Sequence, residues 1–157
     1  MININNAVQF QHLIWDRIMK SASVVVDATC GNGHDLLYLA ERAQSECHLY
    51  GIDIQEQAVS ASRELLASKK LQSNVTITFL HNSHDIALHQ EIKENTIDLI
   101  IFNLGYLPGG DHSIITRPHN TIEALNNAFP KLAKDGIITI VAYPGTPEGM
   151  DCLLYTS

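Results

Sequence analysis

Along the chain the spacing of apolar positions changes period again and again, and the changes mark alternating helices and strands. Val8, Leu13, Ile14, Trp15, Ile18 and Met19 recur at roughly helical spacing with Asp16, Arg17 and Lys20 between them. This predicts an amphipathic helix within residues 1–22 that packs on the domain core. Residues 23–27, Ser-Val-Val-Val-Asp, are β-branched and nearly continuous in apolar character, as in a buried parallel strand. A helix is predicted over 34–44 with Leu36, Leu37, Leu39 and Ala40 inward, then a strand over 48–53 and a helix over 55–68. A strand over 74–80, a short helix over 85–93 and a strand over 96–103 follow. A last helix over 121–133 ends before Asp135-Gly136, and a fifth strand over 137–143 closes the pattern. Strands that alternate with helices in this way form a parallel sheet with helices on both faces.

The length of 157 residues suits one domain. Hydrophobic residues make up 45% and charged residues 17%, the balance of a globular chain rather than a disordered one. The net charge of −7 argues against broad, non-specific nucleic-acid binding, which draws on clustered Lys and Arg. Three cysteines, Cys30, Cys47 and Cys152, fit a reducing compartment better than a disulfide framework. The opening MININNAVQF lacks a basic n-region, and the apolar runs are strand-sized. No secretory signal and no transmembrane helix is expected, and the protein is expected to be cytoplasmic. The chain ends a few residues after Pro-Gly-Thr-Pro-Glu-Gly (144–149), which would leave the fifth strand at an edge. The domain is therefore expected to continue beyond this sequence.

The strongest local signal is Asp27-Ala-Thr-Cys-Gly31-Asn32-Gly33-His34-Asp35, between the first strand and a helix N-terminus. Ligands of α/β sheets bind at this carboxyl end. Gly31 and Gly33 let the backbone turn sharply and approach a ligand without a Cβ in the way. Leu36 stands where a dinucleotide fingerprint has its third glycine, which weakens a nicotinamide or flavin reading. Asp53 closes the second strand and can accept hydrogen bonds from both hydroxyls of a ribose, a feature shared by dinucleotide and S-adenosylmethionine sites. Gln55 can reach the ribose or the adenine. Ser83 and His84, at the end of the third strand, can serve the base edge, although Ser83 or Asn82 capping the next helix is the plainer role. None of the eight histidines forms an i, i+4 pair with carboxylate company, so no metal is expected.

The fourth strand runs into Asn103-Leu-Gly-Tyr106-Leu-Pro-Gly-Gly-Asp111, which resembles the Asn-Pro-Pro-Tyr motif of amino-directed methyltransferases. A nitrogen nucleophile must present its lone pair to a methyl group, so its hydrogens must be held. The Asn103 amide oxygen and the Leu104 carbonyl can accept them. Tyr106 can wall a flat base, and Asp111 can hold a cationic amine or take its proton. A Gly-Pro-rich surface loop with an inward-packed tyrosine is the alternative.

Taken in order and spacing, DATCGNGHD, GIDIQEQAV, HNSHD, FNLGYLPGGD and PGTPEG resemble the Putative rRNA methylase family from about Val24 to Gly149. The resemblance implies a Rossmann-like class I methyltransferase fold, a mainly parallel sheet with helices on both faces, here short of its C-terminal strands. It implies S-adenosylmethionine as cofactor, bound by Asp27, Gly31, Asn32, Gly33, Asp53, Gln55, Ser83 and His84. Asn103, Tyr106 and Asp111 would then face the amine. Characterised bacterial members of the family methylate tRNA, on the 5-aminomethyl group of the wobble uridine in the anticodon loop. Residues 113–121 are similar to the family's substrate-side loop, with Arg117 a candidate phosphate contact. Thr146 stands where the family has a histidine. A homodimer pooling Lys69, Lys70 and Arg117 is one way for so acidic a chain to grip RNA. The alternatives are a methyltransferase acting on rRNA or a small amine, and a non-catalytic nucleotide-binding fragment.

Overall fold

The computed structural model describes residues 7–105 and 118–142. Five strands lie in the order β3-β2-β1-β4-β5, all parallel. They are β1 (Val24–Asp27), β2 (Cys47–Asp53), β3 (Val75–His81), β4 (Ile97–Leu104) and β5 (Leu132–Ala142). The helices are α1 (Ala7–Ile18), α2 (His34–Ala40), α3 (Glu56–Ala67), the single turn α4 (His84–Ile86) and α5 (Pro118–Ala128).

The near-continuous apolar strands are explained by burial on both faces, because alternate residues point to opposite sides of a sheet. Val25, Leu49, Leu99 and Ile101 pack with Trp15 and Met19, beside α1, and with Leu36 and Leu39 of α2. Val26, Ile52, Ile100 and Phe102 pack on the other side with Ala87, Leu88 and Ile92 and with Ala124 and Ala128 of α5. Consecutive connections leave β1 toward β2 on one side and toward β4 on the other. The crevice between the ends of β1 and β4 is the switch point at which such sheets bind ligands. β4 runs on to Leu104, past Ile101, the partner of Asp27, so Asn103 stands over the end of β1.

Four elements differ from the sequence reading. The segment expected as one short helix becomes α4 followed by a π-turn, Ala87–Glu91, closed by Ile92 N–H on Ala87 O at 3.0 Å. The wider turn brings Ile92 back over the face shared by Ala87 and Leu88, all three fully buried. α2 ends at Ala40 rather than at residue 44, tightening through Arg42 N–H on Leu39 O before Gln44 N–H reaches Met19 O. The last helix stops at Ala128 in a 3-10 turn that contains Pro130, and β5 begins at Leu132, five residues early. Its ladder is irregular: Ile97 pairs with Leu132 but Leu99 with Ile137. Gly136 fits there because a β-carbon would lie 2.6 Å from the Ile97 carbonyl oxygen. Among the described residues β5 lies at the edge of the sheet, with Ile137 and Ile140 exposed.

Candidate active site

The loop after β1 stays tied to both neighbouring strands, through Ala28 N–H on Ile101 O at 2.9 Å and Cys30 N–H on Ile52 O at 2.8 Å. Gly31 and Gly33 hold φ of 50° and 85°, left-handed values that a side chain resists. A β-carbon on Gly33 would also meet the Ser62 α-carbon at 2.8 Å. Ser62, fully buried on α3, donates to Gly31 O at 2.8 Å and pins the loop from below. Asn32 is half-buried at the tip. Burial pushes the Cys30 thiol far up, with the Asp27 charge adding to the effect, so it is a packing group rather than a nucleophile.

Three carboxylates surround this loop. Asp53, at the end of β2, accepts Gly31 N–H at 3.0 Å on one oxygen and Gln55 N–H at 2.9 Å on the other. Each oxygen keeps a second lone pair for a ligand hydroxyl. Burial raises its pKa, and the backbone donors of Gln55 and Gly31 work against that rise. Asp27 is fully buried; one oxygen accepts Thr29 N–H at 3.1 Å, and the other has no partner among the described residues. Its pKa lies well above the usual carboxylate range, first through desolvation and then through the charge of Asp35. The ion pairs among the described residues, Arg42–Asp16, His48–Glu94 and His119–Glu123, include none of the three carboxylates. An orphaned buried oxygen flanked by two further acids fits a cationic ligand and repels an anionic one such as a pyrophosphate.

Gln55 immediately precedes α3 and Ser83 immediately precedes α4; both are half-buried and neither side chain makes a capping bond. The plainer role for Ser83 is therefore not taken up. Asn82 N–H on Asp53 O at 3.0 Å draws the end of β3 against that of β2, which puts Ser83 beside the acid. His84, expected at the base edge, opens α4. It is 6% exposed, edge-on to Phe102 at 5.4 Å, and bonded to the backbone of Ala28. Desolvation lowers its pKa, and its Nε2 has no partner among the described residues. The imidazole is packed under the crevice, supporting the start of the glycine loop, because Phe102 and Ala28 occupy the space around it.

Asn103 is held at three points. Its backbone N–H donates to Thr29 Oγ1 at 2.7 Å, its side-chain Nδ2 donates to the Asp35 carboxylate, and its Oδ1 accepts Gln11 Nε2 at 3.3 Å. Leu104 is buried beside it and Gly105 is exposed. Tyr106, Asp111, Arg117 and Thr146 lie outside the described residues. Sequence reasoning missed Gln11, Thr29, Asp35 and Ser62 as site residues. Gln11 had a signal: positions 8, 11, 15 and 18 form one helical seam, and a polar residue sits in it.

A glycine-turned loop after β1, an acid closing β2 and a polar residue closing β4, on a parallel sheet of this order, define a Rossmann-like α/β fold of the methyltransferase type. Within that class the chain belongs to the family described as Putative rRNA methylase, whose profile matches residues 49–152. The chloroplastic tRNA (mnm(5)s(2)U34)-methyltransferase of Arabidopsis thaliana is 32% identical over 151 residues, 92% of this chain and 55% of that protein. The chain thus spans about half the length of this curated relative. A crystal structure of a "putative rRNA-methylase" from Clostridium thermocellum is 36% identical with a TM-score of 0.87, over 99% of this chain and 81% of that one. A "putative methyltransferase" from Streptococcus mutans, solved in complex with SAH, is 29% identical with a TM-score of 0.82, over 98% and 82%.

Proposed function

We propose that this chain is an S-adenosylmethionine-dependent N-methyltransferase, a single domain over residues 1–157 with α1 packed on it, whose acceptor is the 5-aminomethyl group of the wobble uridine in tRNA. The observation that carries the cofactor is the Asp27 carboxylate. It is buried with one oxygen unpartnered among the described residues, beside Asp35 and Asp53, where a sulfonium and ammonium ligand is favoured and a dinucleotide is not. When bound, S-adenosylmethionine supplies a methyl group that is transferred as the bonding pair returns to sulfur. Asp53 receives the ribose hydroxyls, Gln55 and Ser83 stand at the ribose and base, and Gly31, Asn32 and Gly33 line the approach. His84 supports the loop from beneath.

Asn103 carries the acceptor side. Its amide oxygen and the Leu104 carbonyl accept the amine's N–H groups and leave the lone pair directed at the methyl group. Tyr106 walls the uracil, Asp111 takes the proton that the amine must lose, and Arg117 contacts phosphate. The proposed partner is tRNA at its anticodon loop; the Arabidopsis relative, named a tRNA methyltransferase, supports tRNA. A homodimer would add basic residues such as Lys69 and Lys70 to an acidic chain. Among the described residues no helix is long and apolar enough to cross a membrane, and the two described cysteines are free and buried; a cytoplasmic location is part of the proposal.

Calorimetric titration with S-adenosylmethionine, with NADH as control, tests the cofactor. Methyl transfer to tRNA lacking the terminal methyl group, compared with rRNA and free amines, tests the acceptor. Binding of NADH alone would refute the first half of the reading, and activity confined to rRNA or free amines the second.

A further inference from the structure

Asn103 can aim an amine only if its amide oxygen, and not its NH2, faces the substrate. An asparagine amide is nearly symmetric in shape, so something must fix which end is which. The Asp35 carboxylate does this, because an ionised carboxylate accepts and cannot donate; the end of Asn103 that faces it is Nδ2. The other end, Oδ1, then faces α1, where it meets Gln11 Nε2 at 3.3 Å. The same Nε2 lies 3.4 Å from Thr139 Oγ1, which also receives Trp15 Nε1–H at 3.2 Å. Donation spreads outward from Gln11, through Asn103 to the Asp35 carboxylate on one side and to the Thr139 hydroxyl on the other.

Gln11 is 4% exposed, and its Oε1 is buried with no partner among the described residues. Both bonds that its Nε2 makes are long, so they add little to stability, while a buried acceptor left unmade is destabilising. A leucine would suit that seam of α1 better for folding alone. Departures from local consistency of this kind point to function. The frame around the array is stiff. His12 stacks on Tyr38 at 3.7 Å between ring centroids, Arg42 lies over the Tyr38 ring at 3.3 Å, and both Tyr38 Oη and Arg42 Nε meet Asp16 at 2.8 Å. These contacts join α1, which carries Gln11, to α2, which carries Asp35.

Resting on the reading of Asn103 given above, we infer that Asp35 and Gln11 are positioning residues for methyl transfer: together they fix which end of the Asn103 amide is oxygen, the atom that reading gives to the acceptor amine. α1 is thereby part of the acceptor site as well as a cover for the core.

The test compares wild type with Gln11→Leu, Gln11→Glu and the double variant Gln11→Glu/Asp35→Asn. In Gln11→Glu two acceptors face each other. In the double variant every bond returns with the Asn103 amide reversed, since the new amide at position 35 can donate to Oδ1 and the new carboxylate at position 11 can accept from Nδ2. For Gln11→Leu the expected result is thermal stability equal to or above wild type and unchanged S-adenosylmethionine affinity, with kcat on tRNA lacking the terminal methyl lower by about 10- to 100-fold at similar KM. The double variant should recover the stability lost in Gln11→Glu without recovering kcat. Recovery of kcat with stability, an unchanged kcat in Gln11→Leu, or a fall in cofactor affinity matching the fall in kcat would each overturn the inference. The Asn103 side-chain amide resonances supply a reading without turnover: wild type should show a carboxylate-bonded NH2 that Asp35→Asn abolishes. If wild type shows that signal but neither binds S-adenosylmethionine nor transfers a methyl group, the proposed function fails while the array stands. If the signal is absent, the array itself is refuted.

Discussion

Replacing Asp27 by asparagine keeps the shape of the side chain and its acceptor for Thr29 N–H, and removes only the charge. In the free protein that charge is a burden, because Asp27 is fully buried with one oxygen unpartnered among the described residues and Asp35 nearby. Its pKa in the fold lies above that in the unfolded chain, so its contribution to stability is complete below the unfolded value and is lost as pH rises through the folded value. Asp27→Asn should therefore raise the Tm of the free protein, and more at pH 8 than at pH 5. Cofactor binding should move the other way. A charge-assisted hydrogen bond contributes about 1.5–3 kcal/mol, so the variant should bind S-adenosylmethionine roughly 10- to 140-fold more weakly. Binding to wild type should also release protons and tighten as pH rises through the elevated Asp27 pKa, since a cationic ligand draws the carboxylate back to its ionised form. Calorimetry in two buffers of different ionisation enthalpy reads both quantities. If the variant binds as tightly as wild type, or if wild type takes up protons on binding, Asp27 does not face a cation and the cofactor assignment loses its main support.

Three further outcomes follow from the same geometry. Asn103→Ala should reduce turnover far more than cofactor affinity; a loss confined to affinity, measured by calorimetry, would place Asn103 against the cofactor instead. Gly33→Ala combines a left-handed backbone with a contact of 2.8 Å to the Ser62 α-carbon, and should cost about 2–4 kcal/mol in urea unfolding. An effect under about 0.5 kcal/mol, the scale of an inconsequential surface change, would show that the loop relaxes freely. Cys30 and Cys47, buried and with pKa values pushed up by desolvation, that of Cys47 to about 11, should resist thiol reagents at pH 7.5 until the protein is unfolded. Rapid labelling of either in the native protein would contradict the burial.

What could be read from the sequence alone divides along a physical line. Strands β1, β2 and β4 declared themselves because burial on both faces leaves them almost no polar residues, and the glycines at 31 and 33 because only they tolerate positive φ beside Ser62. The early start of β5 was hidden, since its first residues pair through an irregular ladder that a two-residue alternation does not encode. The π-turn after α4 was hidden for the same reason: its cause is the tertiary placement of Ile92. His84 illustrates a different limit. A histidine after β3 is chemically able to touch a base, and only the packing of Phe102 and Ala28 around it assigns it to the floor of the site. Gln11 is the opposite case. It broke the apolar seam of α1 in plain view, yet the seam alone could not say what the amide meets. The partner, Asn103, is brought there by a sheet whose order places the ends of β1 and β4 side by side. Residues that contact a ligand in this fold follow glycines and strand ends and are legible locally. Those that orient the contacting residues come from distant helices, and only the assembled sheet brings them within hydrogen-bonding distance.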